Sequence, residues 1–257
     1  MNLTLHNPHS VLAVLETRPR DVLQLSLPAA SAQANADPSD PWVKVARLAR
    51  DYKIPMQAPV KGGGGGGQRS PSGPPKGDVG GRQGFASALI KERPSRPIEE
   101  LFQDAREQKS GKGLWLALDS LQDPQNVGAI FRTAGFFGVQ GIIITQERSA
   151  PLSAAAYDVA SGGLEYVPFC QQVNLQRAFE SAKEEGLWIL GTSEHAKQDL
   201  KKVERDRPWL LVLGNEEKGM RRLTEEACDV LCGIQALGKV TSLNVATAAG
   251  ICISHLT

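Results

Sequence analysis

The sequence has almost no net charge. Its 29 Lys and Arg residues face 28 Asp and Glu, for a formal charge of +1. A chain that grips nucleic acid over a broad face is normally strongly basic. A uniformly basic surface is therefore excluded, and any basic footprint has to be local. Two clusters qualify: Lys91, Arg93 and Arg96, and then Lys201, Lys202, Arg205 and Arg207. Metal-site chemistry is equally thin. Cys170, Cys228, Cys232 and Cys252 all sit in apolar surroundings. Cys228 and Cys232 are four apart, but no second His or Cys pair completes a zinc set. They read as buried free thiols in a reducing compartment. No apolar run is long enough to span a membrane. The N-terminal MNLTLHNPHS has neither the basic-then-apolar order of a secretory leader nor the Arg-rich pattern of a transit peptide. These absences give the expectation of a cytoplasmic protein with no metal and no membrane partner.

What is present suits a globular chain. Hydrophobic residues are 41% and charged residues 22% of 257, enough length for two modest domains. In chain order, Asn7-Pro8-His9-Ser10 leads into an apolar helix over 11–15 that ends near Arg18-Pro19. Residues 21–27 alternate like a strand. Residues 29–40 read as a loop. Pro41 opens an amphipathic helix over 41–50, and Ile54-Pro55-Met56 starts another extended piece. Residues 61–81 are low complexity, with glycine unbroken over 62–67 and then Pro71, Pro74 and Pro75. Such composition buries no core and predicts a disordered loop. It lacks the Gly-Lys-Ser/Thr of a phosphate-binding loop. A linker over 94–112 carries a short helix over 98–107. Beyond it, strands over 114–118, 141–145, 167–169, 187–191, 209–213 and 230–234 alternate with helices over 126–137, 154–161 and 175–185. That alternation predicts a mostly parallel α/β sheet.

The stretch over 209–255 organises the rest. WLLVL over 209–213 is too short for a helix and is stopped by Gly214, as a buried parallel strand is. Gly214-Asn215-Glu216-Glu217-Lys218-Gly219 is a polar turn with glycine at both ends, where backbone can approach a ligand closely. Thr224 followed by Glu225 and Glu226 reads as a helix cap. Thr241-Ser242-Leu243-Asn244 opens a small-residue helix over 245–253. In such sheets ligands bind beside the C-terminal strand ends.

LVLGNEEKGM and then TSLNVATAAGI resemble the second and third motifs of the SpoU (TrmH-type) RNA ribose 2′-O-methyltransferases. The first motif, an Asn…Arg helix start, stands upstream in LDSLQDPQNVGAIFRTA over 118–134. The three motifs occur in the family's order and spacing. The resemblance is close over 113–257 and looser before it, and leans toward the rRNA guanosine-2′-O-methyltransferase branch. It implies a C-terminal α/β-knot over 113–257, a trefoil-knotted, mostly parallel sheet with helices on both faces. Before it, the resemblance implies a small α/β RNA substrate-binding domain over 1–93. The family's closing strand there often begins His-Gln-Gly. Here Arg82-Gln83-Gly84 stands in that place, with arginine for histidine.

The implied activity is methyl transfer from S-adenosylmethionine to a ribose 2′-hydroxyl. The cofactor's sulfonium supplies the reactive methyl, and the protein supplies binding and orientation. Position by position, Arg132 matches the motif-one arginine, read here as aligning phosphate and stabilising developing charge. Asn126 matches the motif-one asparagine, at a helix start where it would also cap. Glu216 matches the motif-two glutamate, with Glu217 beside it exposed. Ser242 and Asn244 match motif three. Gly214, Ile234 and Leu243 fall where the family holds the cofactor's adenosine, and Thr192 is a further candidate. His255 reads as a helix-end residue. A homodimer with sites built from both subunits is implied as well. Two alternatives stay open at this stage. One is a catalytically silent RNA-binding relative, and the other is a knotted enzyme acting on a base nitrogen. Among RNA substrates, Arg82-Gln83-Gly84 and the leading domain favour rRNA over tRNA, with guanosine as the base.

Overall fold

The computed structural model describes residues 1–28, 37–59, 86–107, 112–147 and 149–257. The glycine- and proline-rich stretch over 61–81 and the Arg82-Gln83-Gly84 triplet lie outside these residues, as does most of the loop expected over 29–40. The chain divides into two units, Met1–Glu92 and Arg93–Thr257.

The first unit contains β1 (Asn2–Leu5), α1 (Pro8–Thr17), β2 (Val22–Ser26), α2 (Pro41–Asp51), β3 (Met56–Gln57) and β4 (Ser87–Lys91). The strands form one sheet in the order β1-β4-β2-β3. β4 runs antiparallel to both β1 and β2, and β3 joins β2 in parallel. Both helices start where the chain dictates. Asn7 accepts from His9 N at 2.9 Å with Pro8 following, and Asp40 accepts from Trp42 N at 2.9 Å with Pro41 following. Each cap satisfies an otherwise orphaned amide, and proline fits the first helical position because it has none. Leu5, Val14, Leu15, Leu25, Val45, Ala49 and Ile90 are fully buried. Each large aliphatic side chain among them contributes about 1.5–3 kcal/mol. β1 was not anticipated from the sequence, although it closes one edge of the sheet.

The second unit contains α3 (Ile98–Glu107), β5 (Gly113–Leu118), α4 (Pro124–Phe137), β6 (Gly141–Thr145), α5 (Ala154–Ala160), α6 (Gly163–Tyr166), β7 (Phe169–Gln172), α7 (Gln176–Glu184), β8 (Trp188–Thr192), β9 (Gln198–Asp199), β10 (Pro208–Leu213), α8 (Arg222–Glu226), β11 (Val230–Gly233) and α9 (Val245–Leu256). Seven strands form one sheet in the order β7-β6-β5-β10-β8-β11-β9. Every pairing is parallel. Burial explains why the strands read as continuous apolar runs. Trp115, Ala117, Leu210 and Val212 pack with Phe102 of α3 and Phe179 of α7 on one face. The alternate residues Leu114, Leu116, Leu211 and Leu213 are buried too, so the other face is covered as well. α4, α5, α6 and α9 pack against one another as a second helical group.

α3 lies in the segment read as a linker, yet it is a layer of the second unit. It buries Ile98, Leu101 and Phe102, and its Leu101 carbonyl accepts from Trp115 Nε1 at 2.9 Å. Thr224 does not cap a helix. α8 begins at Arg222, and Thr224 is buried inside it. The strand read over 167–169 is shifted to 169–172, and α6 and β9 were not anticipated.

Because all seven strands are parallel, their C-terminal ends share one edge. β5 follows one direction of the sheet into β6 and β7, while its other neighbour, β10, comes from much later in the chain. The loops after β5, β8, β10 and β11 therefore converge where strand order reverses, which is where open α/β sheets place ligands.

Candidate active site

The loop after β10 is a closed turn. Asn215 N donates to Gly219 O at 2.9 Å, and Gly219 N donates back to Asn215 O at 3.0 Å. Gly219 has φ +67°, which favours glycine. A Cβ on Gly214 would stand 2.3 Å from both Gly219 C and Met220 N, so no side chain fits there. The Asn215 side chain organises the interior. Its Oδ1 accepts from Glu217 N and Lys218 N at 3.1 Å each, and its Nδ2 donates to Ser120 O at 2.9 Å. Asn215 was not singled out from the sequence, although an asparagine followed by a polar turn is the signal for this arrangement.

Three residues from three distant segments meet beside this turn. Asn244 Nδ2 donates to Asn126 Oδ1 at 2.9 Å, and Asn126 Nδ2 donates to Glu216 Oε1 at 3.0 Å. Gln122 N and Asn215 Nδ2 approach Glu216 Oε2 at 3.5 and 3.2 Å. Asn126 does not cap α4. Asp123 does, accepting from Gln125 N at 2.8 Å, because Pro124 fixes the first helical position one residue later. The Asn126 amide is thereby left for the cluster, where it is buried. Asn244 has both roles. Its Oδ1 accepts from Ala246 N at 2.9 Å and caps α9, while its Nδ2 reaches Asn126.

A cavity of about 440 Å³ opens next to the cluster, lined by Thr192, Gly214, Glu216, Ile234, Ser242 and Leu243 among others. All four residues expected to hold a cofactor therefore line one space, together with two of the expected catalytic set. Its size is that of a small-molecule pocket. Gly214, where the turn's own backbone leaves no room for a side chain, and Leu243, apolar and 50% exposed, form part of its wall. Thr192 Oγ1 donates to Val212 O at 2.9 Å, tying β8 to β10 below the cavity. Cys232 and Cys252 also line it. Burial pushes their thiols up to about 11 and about 12, so they are neutral apolar lining, not nucleophiles. A second hollow of about 480 Å³ adjoins Asn126 and Asn244 and is bordered by Asp123, Gln125 and Ala129.

Arg132 is not brought to this cluster. It is exposed on α4 and lines neither cavity. Six residues at about 100° each carry it well round the helix from Asn126. The basic clusters are partly engaged elsewhere. Arg93 donates to Leu164 O at 2.6 Å and Val167 O at 2.8 Å and lies over Phe169. Arg207 stacks on Trp188 at 4.4 Å and pairs with Asp206 at 2.7 Å. His255 sits in the last turn of α9 with Nε2 3.2 Å from Val203 O. Glu217 is exposed. Among the described residues, no cluster of His, Cys, Asp or Glu is arranged to hold a metal, and no helix is long and apolar enough to cross a membrane.

Residues 113–254, more than half of the chain, match the SpoU rRNA Methylase family. The chain is 36% identical over 250 residues to the 23S rRNA (guanosine-2′-O-)-methyltransferase RlmB of Pseudomonas aeruginosa, covering 96% of this chain and 93% of that protein. It is 43% identical over 171 residues to the RlmB of Nitrosomonas europaea, covering 66% of this chain and 64% of that one, just under two thirds of its length. The fold is similar to that of the SpoU methyltransferase AviRb from Streptomyces viridochromogenes, with a TM-score of 0.73 at 19% identity over 99% of this chain and 88% of that one. AviRb has also been solved in complex with AdoMet, again with a TM-score of 0.73.

Proposed function

The chain belongs to the SpoU rRNA methylase family, and from that membership we propose that it transfers a methyl group from S-adenosylmethionine to the 2′-hydroxyl of a guanosine ribose in large-subunit rRNA. One observation carries the reading. Asn126, Glu216 and Asn244, one from each of three distant motifs, are joined by hydrogen bonds, with Glu216 lining the same cavity as Gly214, Ile234, Ser242 and Leu243 and the two asparagines bordering the adjoining hollow. The presence of Asn126, Arg132, Glu216, Ser242 and Asn244 together argues against a catalytically silent relative.

The cofactor supplies an electrophilic methyl on a sulfonium. Thr192, Gly214, Ile234 and Leu243 hold its adenosine through backbone groups and apolar contact. Ser242 and the Asn126–Glu216–Asn244 chain fix the rim where the ribose must arrive. Orientation there accounts for much of the rate, since methyl transfer requires in-line approach. Arg132 grips a substrate phosphate and stabilises the negative charge that develops on the attacking oxygen.

Arg132 stands apart from the cavity of its own chain, which supports a homodimer whose sites draw on both subunits. Phe136 on α4 is 83% exposed and Ile251 on α9 is 41% exposed, and these helices pack against each other, leaving apolar surface for a second copy. Sedimentation that finds only monomer at micromolar concentration, with full activity, removes this part. The proposed architecture is an RNA-binding domain over 1–93 and a trefoil-knotted catalytic domain over 113–257, with the 94–112 segment giving α3 to the catalytic unit's core. A cytoplasmic location fits a relative named for methylating 23S rRNA. Mapping 2′-O-methyl marks in rRNA and tRNA from a strain lacking the gene tests the substrate. One guanosine mark should vanish from large-subunit rRNA, and loss from tRNA alone contradicts the assignment.

A further inference from the structure

The loop between β10 and α8 is tied to one buried carboxylate. Asp119 follows β5, and its side chain is 0% exposed. Its Oδ1 accepts from Arg221 Nε at 2.7 Å and from Ser120 Oγ at 3.2 Å, and its Oδ2 accepts from Arg221 N at 3.1 Å. Asp119 N donates to Leu213 O at 2.8 Å. Leu213 precedes the loop and Arg221 ends it, so Asp119 holds both ends. Ser120 holds the middle, through its carbonyl and Asn215 Nδ2. Ser120 is itself anchored to β6, with its N donating to Thr145 Oγ1 at 2.9 Å and its backbone at φ +63°. Glu216 projects from this loop toward Asn126.

We infer that Asp119 and Arg221 are positioning residues, a strap that holds the 214–220 loop in its ligand-binding form and so sets cofactor affinity. The inference deepens the proposed function and rests on it only for the identity of the ligand. An apolar pair could stabilise a loop end as well as a buried ion pair does. A carboxylate facing a guanidinium adds direction, because each bond fixes an angle as well as a distance. Direction matters here, because displacing Glu216 by an ångström breaks its bond to Asn126 and reshapes the cavity rim.

Hydrogen exchange on the unliganded full chain, together with calorimetric titration of S-adenosylmethionine, tests the strap. Arg221→Ala alone orphans a buried carboxylate, so the main variant is Asp119→Asn with Arg221→Ala. Peptides covering 214–221 should exchange about tenfold faster or more than in the parent, with β5 and β6 peptides unchanged. Cofactor affinity should fall by about tenfold or more, while affinity for an rRNA fragment stays within about threefold. A residue that only supports the fold would loosen the strands and weaken both ligands alike, and that pattern overturns the inference. So does exchange in the 214–221 peptides within about twofold of the parent. Asp119→Asn alone, isosteric and uncharged, carries the same test if the double variant does not fold. If the parent binds no S-adenosylmethionine, the functional reading fails, and the exchange result still decides whether the strap exists.

Discussion

Replacing Gly214 by alanine should damage cofactor binding by an amount that can be worked out in advance. The new Cβ would lie 2.3 Å from Gly219 C and 2.3 Å from Met220 N, where ordinary contacts begin near 3.4 Å. Both obstacles are backbone, so the turn must open by about 1 Å, since packed backbone cannot rotate away as a side chain can. The two bonds that close the turn, at 2.9 and 3.0 Å, do not survive that displacement. Each contributes about 1 kcal/mol net, giving about 2 kcal/mol in all. At 1.4 kcal/mol per factor of ten, S-adenosylmethionine affinity should fall by about thirtyfold. Gly219→Ala is the internal control. Its φ is +67° but nothing lies within 4 Å of the added Cβ. It suffers only left-handed strain, about 1 kcal/mol, or about fivefold in affinity. Calorimetric titration of both variants gives the comparison. Gly214→Ala binding within twofold of the parent, or a larger loss at Gly219, refutes the reasoning.

Arg132→Ala should leave cofactor affinity intact, because the residue lines neither cavity. Single-turnover methyl transfer should slow by about a hundred- to a thousandfold, as expected for removal of one preorganised charge-stabilising donor. Arg132→Lys should recover little of that rate, since the planar fork is lost. The thiols supply a pH prediction. Burial lifts Cys228 and Cys252 to about 12 and Cys232 to about 11, above the ordinary 9.0. Their neutral forms are favoured in the folded state, so their contribution is complete below pH 9 and is lost as pH rises toward 11 to 12. Urea unfolding should show stability falling over that window. A disulfide reagent near pH 8 should react with the buried Cys232 and Cys252 only after denaturation, and with the half-buried Cys228 sooner.

Much of the second unit was legible in the sequence because its strands are buried on both faces and its helices carry their own punctuation. β5 and β10 read as unbroken apolar runs, and α4 is bounded by Asp123-Pro124 at one end and Gly138 at the other, in the left-handed conformation. Sheet order was not legible. Nothing in the periodicity of β5 or β10 says that they are neighbours, because parallel strands meet through long crossovers. β9, two residues long, carries no period at all. At the site, the motif residues could be named from the sequence, but their partners could not. Asn126 reads as a cap until Asp123 takes that position. Asp119 and Arg221 are 102 residues apart and belong to no shared pattern. Arg132 looks adjacent to Asn126 along the chain, and only helix geometry separates them.

The most direct test of the account is product analysis with purified full-length protein. Large-subunit rRNA fragments are incubated with S-adenosylmethionine carrying a labelled methyl group, digested to nucleosides and resolved by mass spectrometry. Label should appear in 2′-O-methylguanosine and be abolished when Asn126 is replaced by alanine. Label on a base nitrogen, or no transfer to any rRNA fragment by protein that binds the cofactor, contradicts it.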